Sequence, residues 1–139
     1  MSMTLPPGYR PTDREQFMNP LQQEYFRQKL QKWKQELINE SNQTLASLQE
    51  ESLSQPDLAD RATAETDRAL ELRTRDRFRK LITKIDSAIR RIEENTYGYC
   101  EETGEPIALK RLEARPIATL SVEAQERHER MERTRSDEG

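Results

Sequence analysis

Phe78, Ile82, Ile85, Ile89 and Ile92 step by 4, 3, 4 and 3 residues. That is the spacing of a coiled-coil seam, and it commits the stretch to a helix with one apolar stripe. An earlier stripe is made by Phe26, Leu30, Trp33 and Leu37, which step by 4, 3 and 4. It weakens through Ser41 and Asn42 and resumes at Leu45 and Leu48. Toward residue 61 the later stripe thins to Leu72, Ala69 and Ala62. The first segment carries its large residues early and the second carries them late. An antiparallel hairpin aligns those two halves, placing Phe26–Leu37 beside Phe78–Ile92. An ordinary dimeric coiled coil is the alternative use of the same stripes.

The ends of both helices are written locally. Asn19 is a good N-cap, Pro20 suits the first helical position, and Gln22 can complete a capping-box arrangement. A helix over residues 20–53 would be about 50 Å long at about 1.5 Å per residue. Pro56 breaks it, because proline lacks the amide donor and its ring clashes with the preceding turn. Asp57 and Asp60 can cap the second helix, expected over about residues 61–95. The spacing thus predicts a hairpin over residues 19–95 with its tip at 54–62. Residues 1–18, with three prolines and little periodicity, are expected to be a flexible arm.

Composition agrees with a helical chain that has little core. Leu, Ile, Val and Phe make up only about 18% of the 139 residues, low for a globule. Basic and acidic residues are nearly balanced, 23 against 26, for a net charge of −3. That balance gives no general attraction to nucleic acid, so no direct DNA binding is expected. No apolar run reaches the roughly 20 residues that cross a bilayer, and the N-terminus lacks an apolar signal segment. A cytoplasmic, membrane-free protein is the expectation.

The last third changes character. "NTYGYCEETGEPI" reads as a small hairpin, with Gly98, the Thr103-Gly104 turn and Pro106 between short apolar pieces. "ALKRLEA" can form one or two helical turns before Pro116, and "IATL" a short extended piece. Ser121 is a good N-cap for a final, highly charged helix over residues 121–139. Residues 96–120 are expected to be a small globular region with Tyr97, Tyr99, Ile107, Leu109, Leu112, Ile117, Leu120 and Val122 as its core.

This region has the frame of a four-ligand zinc finger without the ligands. In a C-x2-C-x17-C-x2-C pattern its positions hold Cys100, Thr103, Ser121 and Ala124. Structural zinc requires four nitrogen or thiolate ligands, and hydroxyls are too weakly acidic to replace thiolates at neutral pH. The single cysteine excludes an internal disulfide, and the single histidine, His128, brings the strong ligands only to two. No bound metal is expected. Nor is an enzyme, since no nucleophile–base arrangement is visible.

The stretches "PDLADRA", "ELRTRDRFRKLITKI", "YGYC" and "LKRLEARP" together resemble the DksA/TraR family, over about Met18 to Ala124. The chain looks like a cysteine-poor, zinc-independent member. The resemblance implies a mostly α fold: a long antiparallel coiled-coil hairpin, a small degenerate zinc-finger-like domain and a C-terminal helix. It implies a monomeric protein that binds bacterial RNA polymerase and inserts the coiled coil into the secondary channel. It also implies action with the alarmone ppGpp, inhibiting ribosomal RNA promoters and stimulating some biosynthetic ones.

By the same resemblance, Asp57, Asp60 and Ala62 match the functional tip. Lys84 and Arg115 match positions that contact ppGpp at the polymerase interface, and arginine and lysine are the side chains that hold phosphate. At a third such position the family has a basic residue and this chain has Gln125. Arg73 and Arg77 lie on a stripe with Lys80, Lys84 and Arg91 and are expected to contact polymerase or pair within the hairpin. Two alternatives use the same helices: a Gre-type secondary-channel factor that stimulates transcript cleavage, and a structural coiled-coil adaptor.

Overall fold

The computed structural model describes residues 4–53 and 61–138; for 52, 53, 61–63 and 136–138 it describes the backbone alone. The chain is mostly helical, with α1 over Pro20–Leu53, α2 over Arg61–Glu93, α3 over Leu109–Ala114 and α4 over Val122–Glu138. It divides into two compact units, Met1–Leu30 with Ala88–Gly139 and Gln31–Ser87. The first is called the globular unit below, and the second the helix-pair unit.

In the helix-pair unit the two long helices run antiparallel. Lys34 pairs with Asp86 at 2.7 Å. Further along α1, the Gln49 side chain comes close to Glu71, so advance along one helix is retreat along the other. Leu37, Phe78 and Ile85 are buried on the seam, while Trp33, Leu45, Leu48 and Ile82 are half-buried. Toward the start of α2 the seam departs from expectation. Leu72 is 55% exposed and Ala69 is also on the surface. Continuing the Phe78–Ile82–Ile85 register backwards leads instead to Arg75 and Glu71. Arg75 Nη2 donates to Glu71 Oε1 at 2.9 Å, and this bond with the approach of Gln49 holds the Glu71 carboxyl below its ordinary range. The apolar seam therefore gives way to a polar one.

In the globular unit α1 begins as the sequence predicts: Asn19 Oδ1 accepts the Gln22 amide at 3.0 Å, and Pro20 opens the helix. The Gln22 side chain does not return to Asn19. Its oxygen accepts the Met18 amide at 2.8 Å, and its nitrogen donates to the Thr12 carbonyl at 3.3 Å. Gln22 is fully buried. Residues 4–18 therefore differ from the expected flexible arm. Tyr9 donates to Glu15 at 2.9 Å and stands edge-on to Tyr25, Phe17 stands edge-on to Tyr99, and Met18 is buried. Proline-rich sequence here encodes turns that dock, because buried apolar and amide groups wait for them.

α2 ends at Glu93, two residues before the expected limit. Asn95 adopts a left-handed φ of 62°, and the Thr96 and Tyr97 amides both donate to the Arg91 carbonyl. The expected hairpin is reduced to one bridge, Tyr99 with Pro106. Gly98 precedes it with φ 91°, and a Cβ there would lie 3.2 Å from both Met18 and Phe17. Of the expected small core, Tyr97, Ile107, Leu109 and Leu112 are buried. Ile117 and Leu120 are half-buried, whereas Tyr99 and Val122 are exposed. Cys100, Ala118 and Ala124 take the remaining buried places. Small side chains suffice where loops lie close together.

Two substitutions in α2 test the seam. Ile85→Ala should cost about 2–5 kcal/mol in thermal or denaturant unfolding, through lost burial and a residual cavity. Leu72→Ala should stay within about 0.5 kcal/mol of the parent. Equal losses at the two positions would contradict the register described.

Candidate functional site

The four finger positions come together in the globular unit. The Cys100 amide donates to the Glu105 carbonyl at 2.8 Å, and the Gly104 amide returns to the Cys100 carbonyl at 2.9 Å, closing a tight turn. Cys100 is 2% exposed. Burial pushes its thiol pKa up, but the Thr103 hydroxyl and the amides of Ser121, Thr103 and Glu102 around the sulfur favour its charged form and bring it down to about 6.

The other positions are committed elsewhere. Thr103 Oγ1 also accepts the Glu105 amide at 3.2 Å. Ser121 Oγ accepts the Ala124 amide at 3.2 Å, capping α4 as predicted, and Ala124 is a fully buried methyl. His128 Nε2 contacts Glu102 Oε1, tying α4 to the Cys100 turn. Among the described residues no three His, Cys, Asp or Glu side chains are grouped to hold a metal. One cysteine, two occupied hydroxyls and a methyl do not fit structural zinc.

Arg115 lies at the C-terminus of α3 and is exposed. Its amide donates to the Arg111 carbonyl at 2.7 Å, and its carbonyl accepts the Ala118 amide at 3.0 Å. Arg111 Nε bonds the Leu120 carbonyl at 2.9 Å, so the other arginine of this segment supports the loop. Glu113 accepts from Tyr25 at 2.9 Å and from Lys29 at 2.8 Å, joining α3 to α1. Burial first, and then this bond to Glu113, push Tyr25 up to about 12. Gln125, half-buried in the first turn of α4, has its side-chain nitrogen 3.4 Å from Glu129. Arg115 and Gln125 thus share the globular unit.

Lys84, Arg73 and Arg77 belong to the helix-pair unit and are exposed. Among the described residues none of the three forms an ion pair, whereas Lys80 is held by Asp76 at 2.9 Å. Arg77 lies over the Phe78 ring at 5.4 Å. The stripe is therefore unequal: Lys80 is neutralised within its own helix, and Arg91 pairs with Glu101 at 3.4 Å in the globular unit. Asp57 and Asp60 lie outside the described residues, as does the Ala62 side chain. Sequence reading missed Glu113, Tyr25 and Lys29, because ties this distant along the chain leave no periodic signal.

The sole thiol makes the Cys100 geometry directly measurable. Thiolate absorbance of the folded chain should titrate with a midpoint near 6, and in denaturant near about 8.5. Between those values the unfolded chain binds more protons, so this group makes stability rise with pH. Its contribution is lost as pH falls through about 6. A folded midpoint near about 8.5 would mean that the donors do not face the sulfur.

Known proteins match the chain in both its parts. Residues 22–92 match the DnaK suppressor protein DksA, N-terminal domain, and residues 95–130 match the prokaryotic dksA/traR C4-type zinc finger. The chain is 66% identical over 130 residues to the RNA polymerase-binding transcription factor DksA of Caulobacter vibrioides, covering 94% of this chain and 92% of that one. It is 42% identical over 115 residues to the protein of the same name from Escherichia coli, covering 83% and 76%. The solved structure of transcription factor DksA2 from Pseudomonas aeruginosa superposes with a TM-score of 0.70 at 40% identity, covering 84% of this chain and 90% of that one. The chain belongs to the DksA/TraR family.

Proposed function

We propose that this chain is an RNA polymerase-binding transcription regulator that works without zinc. Its helix pair enters the secondary channel of the bacterial enzyme. With ppGpp it inhibits ribosomal RNA promoters and stimulates some biosynthetic ones. The observation that carries this reading is the 66% identity, over nearly the whole chain, to a relative named for polymerase binding. Asp57, Asp60 and Ala62 form the effector tip, Arg73 and Arg77 contact polymerase, and Lys84 and Arg115 hold alarmone phosphates. The chain acts as a cytoplasmic monomer, by binding polymerase rather than DNA and without catalysis of its own. A net charge of −3 and the absence, among the described residues, of a helix able to cross a membrane are consistent with this.

Independence from zinc follows from what holds the finger frame. Backbone hydrogen bonds of the Cys100 turn and packing of Ile107 and Leu112 support the frame in place of a metal staple.

The test is in vitro transcription from a ribosomal RNA promoter with chelator-treated protein, with and without ppGpp. Wild type should inhibit, and Asp57→Ala should bind polymerase yet fail to inhibit. Stimulated cleavage of stalled transcripts would favour a Gre-type factor instead, and no effect in either alarmone state would leave an adaptor. Gln125→Lys should restore the basic group of the family and lower the ppGpp concentration for half-maximal effect about 3–10-fold, the size of one partly exposed charge-assisted contact. An unchanged concentration would remove position 125 from the alarmone site.

A further inference from the structure

We propose that Glu113 and Tyr97 are positioning residues for Arg115, fixing its backbone so that the guanidinium meets an anionic nucleotide ligand already oriented. The inference rests on the reading of Arg115 as an alarmone contact.

Among the described residues the Arg115 side chain makes no hydrogen bond or ion pair, so what the structure fixes is the backbone that carries it. That chain is fixed on both sides. Two residues before, the Glu113 carboxylate takes one bond from Tyr25 at 2.9 Å and one from Lys29 at 2.8 Å. Tyr25 and Lys29 are one turn apart on α1, so both reach the same oxygen. One residue after, the Pro116 carbonyl accepts the Tyr97 hydroxyl at 2.7 Å in a buried bond. The Tyr97 ring is 3% exposed and packs on Phe26 at 5.6 Å between centroids. Between these ties Arg115 leaves helical geometry, with φ −142° and ψ 84°. A cation on a fixed backbone loses less freedom on binding, and that saving appears as affinity. In this chain the effect carries more weight because Gln125 supplies no charge.

The experiment compares Glu113→Ala, Glu113→Gln, Tyr97→Phe and Arg115→Ala in the full chain, with polymerase and ppGpp. Two quantities are read: polymerase affinity without ppGpp, and the ppGpp concentration for half-maximal inhibition. Glu113→Ala and Tyr97→Phe should each raise that concentration about 3–10-fold and leave alarmone-free affinity within about twofold. Glu113→Gln, whose amide oxygen still accepts from Tyr25 and Lys29, should recover most of the response. Neither substitution should add anything in an Arg115→Ala background. Effects that persist in that background, or equal losses with and without ppGpp, would overturn the inference and make the two residues structural. A wild type that responds while both variants respond identically overturns the inference and leaves Arg115 as a contact. A wild type with no ppGpp response overturns the underlying reading together with it.

Discussion

Large apolar side chains are so scarce in this chain that nearly all of them must serve one seam and one small core. Phe26 and Leu30 are fully buried in the globular unit and Ile85 in the helix-pair unit. Each such residue contributes about 1.5–3 kcal/mol on full burial. Everything else is attached to these few places by hydrogen bonds. Tyr97 shows how economically this is done, since its ring packs on Phe26 and its hydroxyl holds Pro116. Far from the large residues the pairing becomes polar, as Glu71 with Arg75 and Gln49 shows. Exposed ion pairs of that kind add little stability. Glu71 and Arg75 lie in the same helix, and it is the approach of Gln49 to Glu71 that joins α1 and α2 there.

Much of this was legible in the sequence, for identifiable reasons. The two stripes, the Asn19 and Ser121 caps and the finger spacing are local patterns, and local patterns carry over into structure when nothing distant opposes them. Leu72 failed because it was assigned by hydrophobicity rather than by register; strict heptad counting back from Phe78 leads to Glu71 instead. The packing of residues 4–18 was illegible for a different reason. It depends on the Gln22 amide meeting the Thr12 and Met18 backbone, and backbone partners leave no mark on a side-chain pattern. The Glu113 tie to Tyr25 and Lys29 is hidden likewise, since an acidic residue in a charged stretch reads as a solvated face.

The finger frame shows how the positions of a four-ligand pattern can each take a structural duty. Zinc would have neutralised thiolates and cross-linked two loops. Here one buried cysteine stands at the first position, in a turn closed by its own backbone bonds. The Ser121 hydroxyl caps α4, and Ala124 is a packed methyl. The contact of His128 with Glu102 adds a further tie across the same frame.

The buried Gln22 amide also draws a boundary. The match to the family's N-terminal domain begins at residue 22, yet the fold begins earlier, because Gln22 is satisfied by residues 12 and 18. A fragment cut where that match starts would keep every seam residue and still leave a buried amide without partners, a loss of about 1–3 kcal/mol. It would also strip Phe17 and Met18 from the backbone at Gly98. The matched domain and the folded unit thus have different first residues. The segment between them is shaped by what it must cover rather than by what it must contact.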